Sequence, residues 1–395
     1  MPGNGHRRLK VAHVITLLEL GGAQRNTLYT VGHLDKTRFD PVLVCGRGAI
    51  LDEETSALGV PVRYVPSLGR TAHPWKDPLA LAALVRIFRR ERPDIVHTHS
   101  SKAGILGRLA ARAAGVPVIV HTFHGFGFTP NQKRPIRGFY VLLERLAARV
   151  TTAFIAVSRA NMEEALARGI GRRDRFHLIR SGIRLGDYRS LARDRDLTLG
   201  LRLAPGLPLV TTVGPFKPQK NLGDFLDAAA LVQRERPDAR FLIVGDGQGR
   251  PALEEKRRRL GLEKCVFMPG WRRDIPDILR RTAVFVLTSL WEGLPRSLVE
   301  AMAAGVPSVV NGVDGCLDVV RDGRNGFLAP PGRPDLTAAK ILALLRDPAA
   351  AGLVGERARA SIGDEFDMDG MVRAQEELYE RLCRLSLSPS GRGLL

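Results

Sequence analysis

The stretch LVTTVGPFKPQKNLGDFLDAAALVQRERPDARFLIVGDG, from Leu209 to Gly247, holds two short apolar runs on either side of an amphipathic segment. The runs at 209–213 and 240–244 are rich in Val, Leu and Ile, which is typical of buried strands. Residues 223–236 between them place apolar side chains at helical spacing. The stretch therefore predicts two parallel strands that are joined by a helix lying on one face of the sheet.

The same alternation extends in both directions from this unit. It predicts strands at 9–17, 41–45, 60–65, 95–98, 116–122, 153–157, 266–268, 284–287 and 308–310, and helices at 23–34, 79–90, 103–114, 137–148, 160–168, 251–260, 275–281, 296–304 and 336–345. The alternation fails between 183 and 208, where Arg, Asp, Gly and Leu are frequent and two prolines occur. The predicted class is α/β, with two Rossmann-like doubly wound domains that face each other across a cleft at the carboxyl ends of their sheets.

The break in the alternation gives the predicted domain boundaries. They are a first Rossmann-like domain at 9–183, a connection at 184–207, a second Rossmann-like domain at 208–365, a terminal helix at 366–385 that returns to the first domain, and a flexible tail at 386–395. A length of 395 residues suits two domains.

The chain is strongly basic, with a net charge of +19 and 60 Lys and Arg residues, most of them arginine. This excess favours an anionic membrane surface as a partner, and a compositional bias toward arginine would give the same number. Nucleic acid is not an expected partner, because no zinc-finger, RNP or recognition-helix pattern accompanies the charge.

Cysteine usage and the start of the chain indicate a cytoplasmic protein. The four cysteines (Cys45, Cys265, Cys316 and Cys383) form no CxxC pair, which argues against a zinc site and a disulfide framework. Residues 1–10 are polar and predict no secretory signal, and no apolar run approaches the roughly 20 residues that a spanning helix needs.

The segment Glu292-Gly-Leu-Pro-Arg-Ser-Leu-Val-Glu300 places two carboxylates eight positions apart. Pro295 suits the first turn of a helix, so Glu292 is expected before the helix and Glu300 inside it. A helix N-terminus binds phosphate, and carboxylates beside it accept hydrogen bonds from sugar or ribose hydroxyls. A helix start with incidental glutamates would look the same, and the pair alone leaves both interpretations open.

The longer run EGLPRSLVEAMAAG, from Glu292 to Gly305, closely resembles the signature E-G-x-P-x-x-x-x-E-A-x-A-x-G of the family 4 retaining glycosyltransferases, whose architecture is called GT-B. The resemblance covers about 9–345 and includes 21–23, 97–107, 121–125, 214–221, 242–247 and 267–274. It implies transfer of a hexose-type sugar from a nucleotide-diphosphate sugar, UDP before GDP, to a saccharide or lipid-linked acceptor in cell-envelope polysaccharide or lipopolysaccharide synthesis. The first domain would bind the acceptor and the second the donor.

The resemblance also implies roles for individual residues. It gives catalytic roles to Glu292 near the reacting face of the donor sugar, to His124 beside the reacting carbon, and to Lys220, which neutralises the diphosphate. Glu300 would bind the ribose. The other donor-binding positions are Gly21, Gly22, Lys217, Gly293 and Leu294.

Three features depart from a simple match. The family pattern begins Gly-Arg where this chain has Gly214-Pro215, and Lys217 is expected to replace part of the missing charge. Asp314-Gly315 stands where paired glycines are usual, and Asp318 stands where a glutamate is usual; we leave these outside the catalytic set.

No cofactor or metal is expected, because protein cations and helix ends do that work in the resembling enzymes. His97 and His99 alternate on one strand and share a face, but the sequence shows no third ligand beside them.

The segment 128–149 has two interpretations. Lys133, Arg134 and Arg137 lie beside Phe139 and Tyr140, which is typical of an interfacial membrane helix and also of a core-facing amphipathic helix with a solvated basic flank. The basic stretch continues through Arg172, Arg173, Arg175, Arg180 and Arg184. The first interpretation predicts peripheral attachment to the inner face of the plasma membrane.

Two alternative functions remain open from the sequence. A nucleotide-sugar 2-epimerase shares the two-domain architecture, although the segment from Glu292 to Glu300 speaks against it. A catalytically degenerate nucleotide-sugar binding protein is the other, because Pro215 occupies the usual arginine position.

Overall fold

A computed structural model describes residues 7–128, 132–194, 200 and 204–387. The chain forms two compact units, which are described separately below. The first unit contains the described residues up to Gly182 and those from Met368 onward, and the second unit is the continuous segment Ile183–Asp367.

The first unit is built on a seven-stranded sheet in the order β3-β2-β1-β4-β5-β6-β7. Its strands are β1 (Leu9–Ile15), β2 (Phe39–Cys45), β3 (Val62–Tyr64), β4 (Ile95–His99), β5 (Val118–Phe123), β6 (Ala153–Ala156) and β7 (Phe176–Leu178). Its helices are α1 (Gly22–His33), α2 (Lys76–Glu91), α3 (Ser101–Ala114), α4 (Arg134–Ala148), α5 (Arg159–Ala167) and the C-terminal helix (Met368–Leu387). Every neighbouring pair of strands is parallel, and the strand order reverses direction between β1 and β4.

Helices cover both faces of this sheet, which explains why its strands are apolar along their whole length. Alternate residues of β1 point to opposite faces, so Val14 packs with Leu84 of α2, whereas Val11 packs with Leu378 of the C-terminal helix. Tyr379 on the same helix is fully buried. Each fully buried apolar side chain of this kind contributes about 1.5–3 kcal/mol, so the C-terminal helix is part of the core of the first unit.

The second unit repeats the plan with six parallel strands in the order β10-β9-β8-β11-β12-β13. Its strands are β8 (Leu209–Val213), β9 (Arg240–Val244), β10 (Val266–Gly270), β11 (Val284–Leu287), β12 (Ser308–Asn311) and β13 (Phe327–Ala329). Its helices are α6 (Gly186–Arg189), α7 (Leu222–Glu235), α8 (Arg250–Arg259), α9 (Ile275–Arg281), α10 (Arg296–Ala303), α11 (Asp314–Val319), α12 (Pro334–Arg346) and α13 (Pro348–Ala360). Here the order reverses between β8 and β11, and ligands of such sheets bind beyond the carboxyl ends of the strands at that reversal. The prediction of two Rossmann-like domains is confirmed.

The structure divides the chain differently from the predicted connection at 184–207. Residues 183–194 belong to the second unit, where Ile183 forms a parallel bridge with Asp367 and both Leu185 and Tyr188 are buried. The high Arg and Asp content of this stretch led to its prediction as a connection, although these three side chains are buried. The remaining part of the predicted connection includes 195–199 and 201–203, which lie outside the described residues.

The end of the chain also differs from its predicted bounds. The helix predicted at 366–385 begins at Met368, after a short 3-10 turn, and continues through Leu387. The predicted tail at 386–395 therefore starts inside this helix, where the Ser386 hydroxyl donates to the Leu382 carbonyl at 3.0 Å. Residues 388–395 lie outside the described residues. Among the helices of the described residues, none has the length and apolar content needed to cross a bilayer.

Candidate active site

Three loops of the second unit meet at the carboxyl ends of β8, β11 and β12. The loop after β8 leads to Lys220 through a 3-10 turn at Pro218–Lys220, and the loop after β11 carries Glu292. The loop after β12 leads to Asp314. Because β8 and β11 are neighbours at the reversal of strand order, the sheet itself brings residues 72 positions apart to the same edge.

Lys220 and Glu292 form a buried ion pair at this edge. The ammonium Nζ of Lys220 lies 2.5 Å from Oε1 of Glu292, and their side chains are 11% and 7% exposed. The Ser289 hydroxyl donates to the same carboxylate oxygen at 2.6 Å. Charge-assisted hydrogen bonds of this kind fix the geometry of a carboxylate and compensate part of the cost of burying it.

Hydrogen bonds to backbone carbonyls hold the two loops together independently of this pair. The Leu290 N–H donates to the Gln219 carbonyl at 2.8 Å, and the Thr288 hydroxyl donates to the Lys220 carbonyl at 3.0 Å. The Asn311 amide in turn donates to the Thr288 carbonyl at 2.9 Å. Lys220 and Glu292 therefore project from loops that are joined to each other by hydrogen bonds other than their own.

Asp314 and Gly315, which departed from the family pattern, support the Glu292 loop from the third strand. Oδ2 of Asp314 accepts the Glu292 backbone N–H at 2.9 Å, and Asp314 adopts a left-handed φ of 32°. A Cβ on Gly315 would lie 1.9 Å from the Gly293 carbonyl oxygen, so only glycine fits there. Asp314 thus orients a predicted catalytic residue through its backbone.

The remaining predicted residues of the second unit lie around the same loops. Glu300 is inside α10, with Oε1 at 3.9 Å from the Arg296 guanidinium. Gly293 and Leu294 are buried in the turn before α10, and Lys217 is half-buried at the start of the 3-10 turn that ends at Lys220. A Cβ on Gly214 would meet the Lys220 side chain at 3.0 Å, so glycine leaves room for the lysine.

One detail of the motif is corrected by the structure. Pro295 was predicted in the first turn of the helix, but it is the capping residue and α10 begins at Arg296. Its ψ of 95° is extended rather than helical, so Pro295 lies in the turn that precedes the helix.

The first unit holds the other predicted residues, which are therefore separated in sequence and in domain from Lys220 and Glu292. Gly21 and Gly22 lie between β1 and α1, and Gly22 is the first residue of that helix. Gly21 has an extended φ of −169°, which any residue adopts, and a Cβ there would meet only the end of the flexible Gln24 side chain. The backbone therefore does not require glycine at position 21.

His124 follows β5 and joins a cluster of buried histidines. Nε2 of His124 lies 3.2 Å from Nδ1 of His99, and Nε2 of His99 lies 3.1 Å from Nδ1 of His13. His97 faces its strand neighbour His13 and hydrogen-bonds the Tyr379 hydroxyl at 2.5 Å. Burial lowers the pKa of His13 to about 3 and that of His97 and His99 well below the usual range, so these rings are neutral.

His13 is the third ligand that the sequence did not show for His97 and His99. One ring nitrogen from each of the three lies within 4.8 Å of the others, a spacing a metal ion can bridge. However, Nδ1 and Nε2 of His97 already bond the Tyr379 and Thr122 hydroxyls, at 2.5 and 2.7 Å. A divalent ion would have to break one of these bonds in a site that contributes no negative charge.

Known protein families match this chain over both of its units. The family described as "Glycosyl transferase 4-like domain" matches residues 21–182, and that described as "Glycosyl transferases group 1" matches 207–347. The UDP-Gal:alpha-D-GlcNAc-diphosphoundecaprenol alpha-1,3-galactosyltransferase of Escherichia coli is 35% identical over 382 residues, which cover 95% of this chain and 97% of the relative. This chain belongs to the family 4 glycosyltransferases. It is a transferase with the GT-B architecture.

Solved structures agree with the fold of this glycosyltransferase. Anabaena HepE in complex with UDP and glucose superposes with a TM-score of 0.82 at 22% identity, covering 95% of this chain and all of HepE. The sucrose-phosphate synthase of Thermosynechococcus elongatus superposes with a TM-score of 0.81 at 19% identity, covering 95% of this chain and 99% of the synthase. At these identities the likeness concerns the fold alone.

Sequence reasoning missed two residues of this glycosyltransferase, Ser289 beside Glu292 and His13 beside His99, and it left Asp314 outside the catalytic set. Ser289 lies three positions before Glu292 and two residues beyond the end of β11. His13 interrupts an otherwise apolar strand, which was a usable signal, but its neighbours follow only from the strand register.

Proposed function

We propose that this glycosyltransferase moves a hexose from a UDP-hexose to a saccharide carried on a lipid diphosphate, with retention of anomeric configuration and without a metal ion. The observation that carries the proposal is the buried pair of Lys220 and Glu292 at the carboxyl edge of the second sheet. The E. coli relative is named for UDP-galactose and an N-acetylglucosaminyl diphosphoundecaprenol acceptor. HepE was solved with UDP and glucose.

The proposed chemistry assigns one task to each group. When the bond between the sugar C1 and the diphosphate oxygen breaks, negative charge grows on that oxygen, and Lys220 stabilises it. Glu292 accepts a hydrogen bond from a sugar hydroxyl, and Glu300 accepts one from the ribose. The acceptor oxygen bonds to C1 on the face that UDP leaves, and its proton departs with UDP.

Several residues supply the positive charge that a metal ion supplies in other transferases. Lys217 adds a second cation near Lys220, where Pro215 replaces the usual arginine. The family resemblance also assigns backbone donors for the donor substrate to Gly21 and Gly22, where α1 begins, and to Gly293 and Leu294, before α10.

The proposed acceptor is confined to a membrane, and α4 provides a surface suited to one. Ile136, Phe139, Leu142 and Leu146 are 48%, 56%, 52% and 42% exposed. At 3.6 residues per turn they fall within about one third of the helix circumference. We call these four residues the α4 apolar stripe.

The opposite face of α4 is fixed to the core, so the stripe cannot turn inward. Glu144 is buried and accepts a hydrogen bond from the fully buried Arg108 of α3 at 2.5 Å. Lys133, Arg134, Arg145 and Arg149 are exposed on or beside the helix, whereas Arg137 is half-buried. This arrangement supports the proposal that α4 lies on an anionic leaflet, with each nearby basic residue worth about 1 kcal/mol.

The basic stretch from Arg172 to Arg184 contributes less positive charge to this surface than the sequence indicated, because several of its arginines are already paired. Arg173 pairs with Glu163 at 2.7 Å, and Arg172 pairs with Asp174 at 3.1 Å. Arg175 donates to the Thr151 carbonyl.

Co-sedimentation with vesicles tests the membrane proposal. We expect binding to anionic phosphatidylglycerol vesicles that weakens as salt rises, and no binding to neutral ones. Phe139→Ser together with Leu142→Ser should release the protein without changing UDP-hexose binding. Leu353→Ser, at an equally exposed leucine of α13 (54%), is the matched control. If the wild-type protein ignores anionic vesicles at low salt, the charge is compositional and a soluble acceptor is favoured.

A product assay tests the proposed reaction and separates it from the alternatives. The purified protein is incubated with UDP-galactose or UDP-glucose, with and without a synthetic N-acetylglucosaminyl diphosphate lipid. Mass spectrometry of the lipid should show one added hexose, and NMR should show an α-linkage. A changed nucleotide sugar without acceptor would indicate a 2-epimerase, and donor binding without any product would indicate a degenerate binding protein.

A further inference from the structure

We infer that the ion pair of Lys220 and Glu292 opens and closes once in each catalytic cycle, and that its closing helps to expel UDP. Bound diphosphate takes the ammonium of Lys220 from Glu292, while a sugar hydroxyl takes over the carboxylate. When the sugar has left with the acceptor, Glu292 recovers Lys220 and weakens the hold on UDP. The inference rests on the proposed function, in which Lys220 contacts the diphosphate and Glu292 contacts the sugar.

The ammonium of Lys220 has one partner to give up. Within the described part of the chain, Oε1 of Glu292 is the only acceptor within hydrogen-bond distance of its Nζ, at 2.5 Å. At this distance the carboxylate neutralises most of the positive charge of the lysine. A diphosphate therefore meets a cation that is already in use, and it gains the full charge only if Glu292 releases it.

Lysine is the partner that can move. A Cβ on Gly214 would lie 3.0 Å from Cε of Lys220 and 3.4 Å from its Cδ, so this part of the side chain passes close to the backbone. Beyond Cε only the ammonium is held, and by a single hydrogen bond. Rotation about the Cδ–Cε bond moves Nζ away from the carboxylate and leaves the rest of the side chain in place.

Glu292 is the partner that stays. Its Oε1 also accepts from the Ser289 hydroxyl at 2.6 Å, and its backbone N–H donates to Oδ2 of Asp314 at 2.9 Å. Its Oε2 lies 3.5 Å from Nε2 of Gln219, which is longer than a normal hydrogen bond. None of these three groups carries a positive charge, so opening the pair leaves a buried carboxylate that needs a further donor.

This need for a donor distinguishes UDP from a UDP-hexose. Both ligands offer a diphosphate to Lys220, but only the UDP-hexose also offers a hydroxyl to Glu292. UDP alone opens the pair and leaves the carboxylate uncompensated near the negative charge of the diphosphate, which weakens binding. The pair therefore opposes binding of the product much more than binding of the substrate, and it acts after the sugar has departed.

Isothermal titration calorimetry with UDP, UMP and UDP-galactose tests the exchange in Glu292→Gln, which keeps the shape of the side chain and removes its charge. We expect UDP to bind roughly tenfold more tightly than to the wild-type protein, because one charge-assisted hydrogen bond no longer has to be broken. UMP should bind with unchanged affinity, because it lacks the phosphate whose oxygen bonds C1 of the sugar. UDP-galactose should gain less than UDP, because its hydroxyl loses a charged acceptor.

Glu235→Gln is the matched control for the loss of charge. It removes the same charge from an ion pair with Arg346, at the last residue of α7, where the helix is farthest from the carboxyl edge of the sheet. Its affinity for all three ligands should equal that of the wild-type protein. Partial unfolding of Glu292→Gln would weaken the binding of every ligand, so it cannot imitate the expected gain. An unchanged or weaker UDP affinity, with UMP binding intact, would overturn the inference.

A second measurement follows the pair itself in the protein with an unaltered site. In protein labelled with ¹⁵N-lysine and ¹³C-glutamate, NMR detects the scalar coupling across the hydrogen bond between Nζ of Lys220 and the carboxyl carbon of Glu292. Lys10 and Glu91, 2.7 Å apart in the first unit, give a reference coupling that is identified by its loss in Glu91→Gln. We expect saturating UDP to remove the Lys220 coupling and to leave the reference unchanged. A Lys220 coupling that persists with UDP bound, or that is missing without UDP, would refute the exchange.

The outcomes separate this inference from the proposed function. If UDP binds Glu292→Gln more tightly but the wild-type protein adds no hexose to the lipid, the exchange is right and the proposed transfer is wrong. If hexose is added but the UDP affinity of Glu292→Gln is unchanged, the transfer is right and the exchange is wrong.

Discussion

Replacing Lys220 by methionine should destabilise the second unit, because it leaves the buried carboxylate of Glu292 without its cation. The ammonium and Glu292 lie 2.5 Å apart at 11% and 7% side-chain exposure, so water cannot take over the lost contact. Removing one partner of a buried pair costs 3–5 kcal/mol in general. Because Ser289 still donates to the same oxygen, we expect about 3 kcal/mol, at the lower end of that range.

The double variant Lys220→Met with Glu292→Gln should be close to wild type in stability, within about 1 kcal/mol, because it contains neither charge. Both single variants and the double variant should lose transfer activity. The expected signature is therefore strong coupling in stability, at about 2 kcal/mol or more, alongside a common loss of activity.

Urea unfolding at pH 7, followed by tryptophan fluorescence, measures this coupling. The chain has three tryptophans, and in a Trp75→Phe background the emission comes only from Trp271 and Trp291 of the second unit. Trp75 is 76% exposed, so its replacement should be nearly neutral. If the two single effects simply add to within about 0.5 kcal/mol, the pair does not form in the folded protein and the site assignment fails.

Four further predictions follow from the same structure. Glu300→Ala should raise KM for the nucleotide sugar with little change in kcat, and an unchanged KM would remove Glu300 from the ribose site. Gly315→Ala should lower both thermal stability and kcat, because its Cβ would lie 1.9 Å from the Gly293 carbonyl, whereas Gly312→Ala meets nothing closer than 3.7 Å and is the control. Transfer should survive EDTA in steady-state assays, and a strict requirement for manganese or magnesium would contradict the proposed stabilisation of the diphosphate. The pKa of His13 is near 6.5 when unfolded and about 3 when folded, so its contribution to stability is complete above pH 6.5 and is lost as pH falls below it, at about 1.4 kcal/mol per pH unit. Burial keeps His97 and His99 neutral in the same way, so the loss measured by calorimetry between pH 7 and 5 should exceed this figure. It should be confined to the first unit, because residues 183–367 contain no histidine.

Most of the longer regular elements followed from the local pattern of apolar residues. The helix predicted at 223–236 is found at Leu222–Glu235, and strands 209–213 and 240–244 have the predicted bounds. The strands β7 and β13 were missed because each has three residues, too few to establish alternation.

The helix α13 was missed for a different reason. Its sequence PAAAGLVGERARA is dominated by small residues, so its buried face shows little contrast with its exposed face. It packs through small groups instead: a Cβ on Gly355 would lie 2.2 Å from the Gly305 carbonyl.

The carboxylate motif was visible in the sequence, but the contacts that orient it were not. Glu292 meets Lys220, 72 positions earlier, and Asp314, 22 positions later. No local sequence pattern predicts these two contacts, because they depend on which strands are neighbours in the sheet. The contact between His13 and His99 has the same origin, since the two residues are 86 positions apart.

The first unit takes its last helix from the far end of the chain, and this sets an order on its assembly during synthesis. Residues 183–367 are complete as soon as they leave the ribosome, whereas the sheet face that carries Val11 is covered only in part, by α1, until Met368–Leu387 emerges. The unit that is translated first is therefore the unit that finishes folding last, the reverse of the usual vectorial order. A nascent chain stalled before residue 368 presents a partly covered apolar sheet face to chaperones and proteases, together with a His97 whose Tyr379 partner has not yet been made.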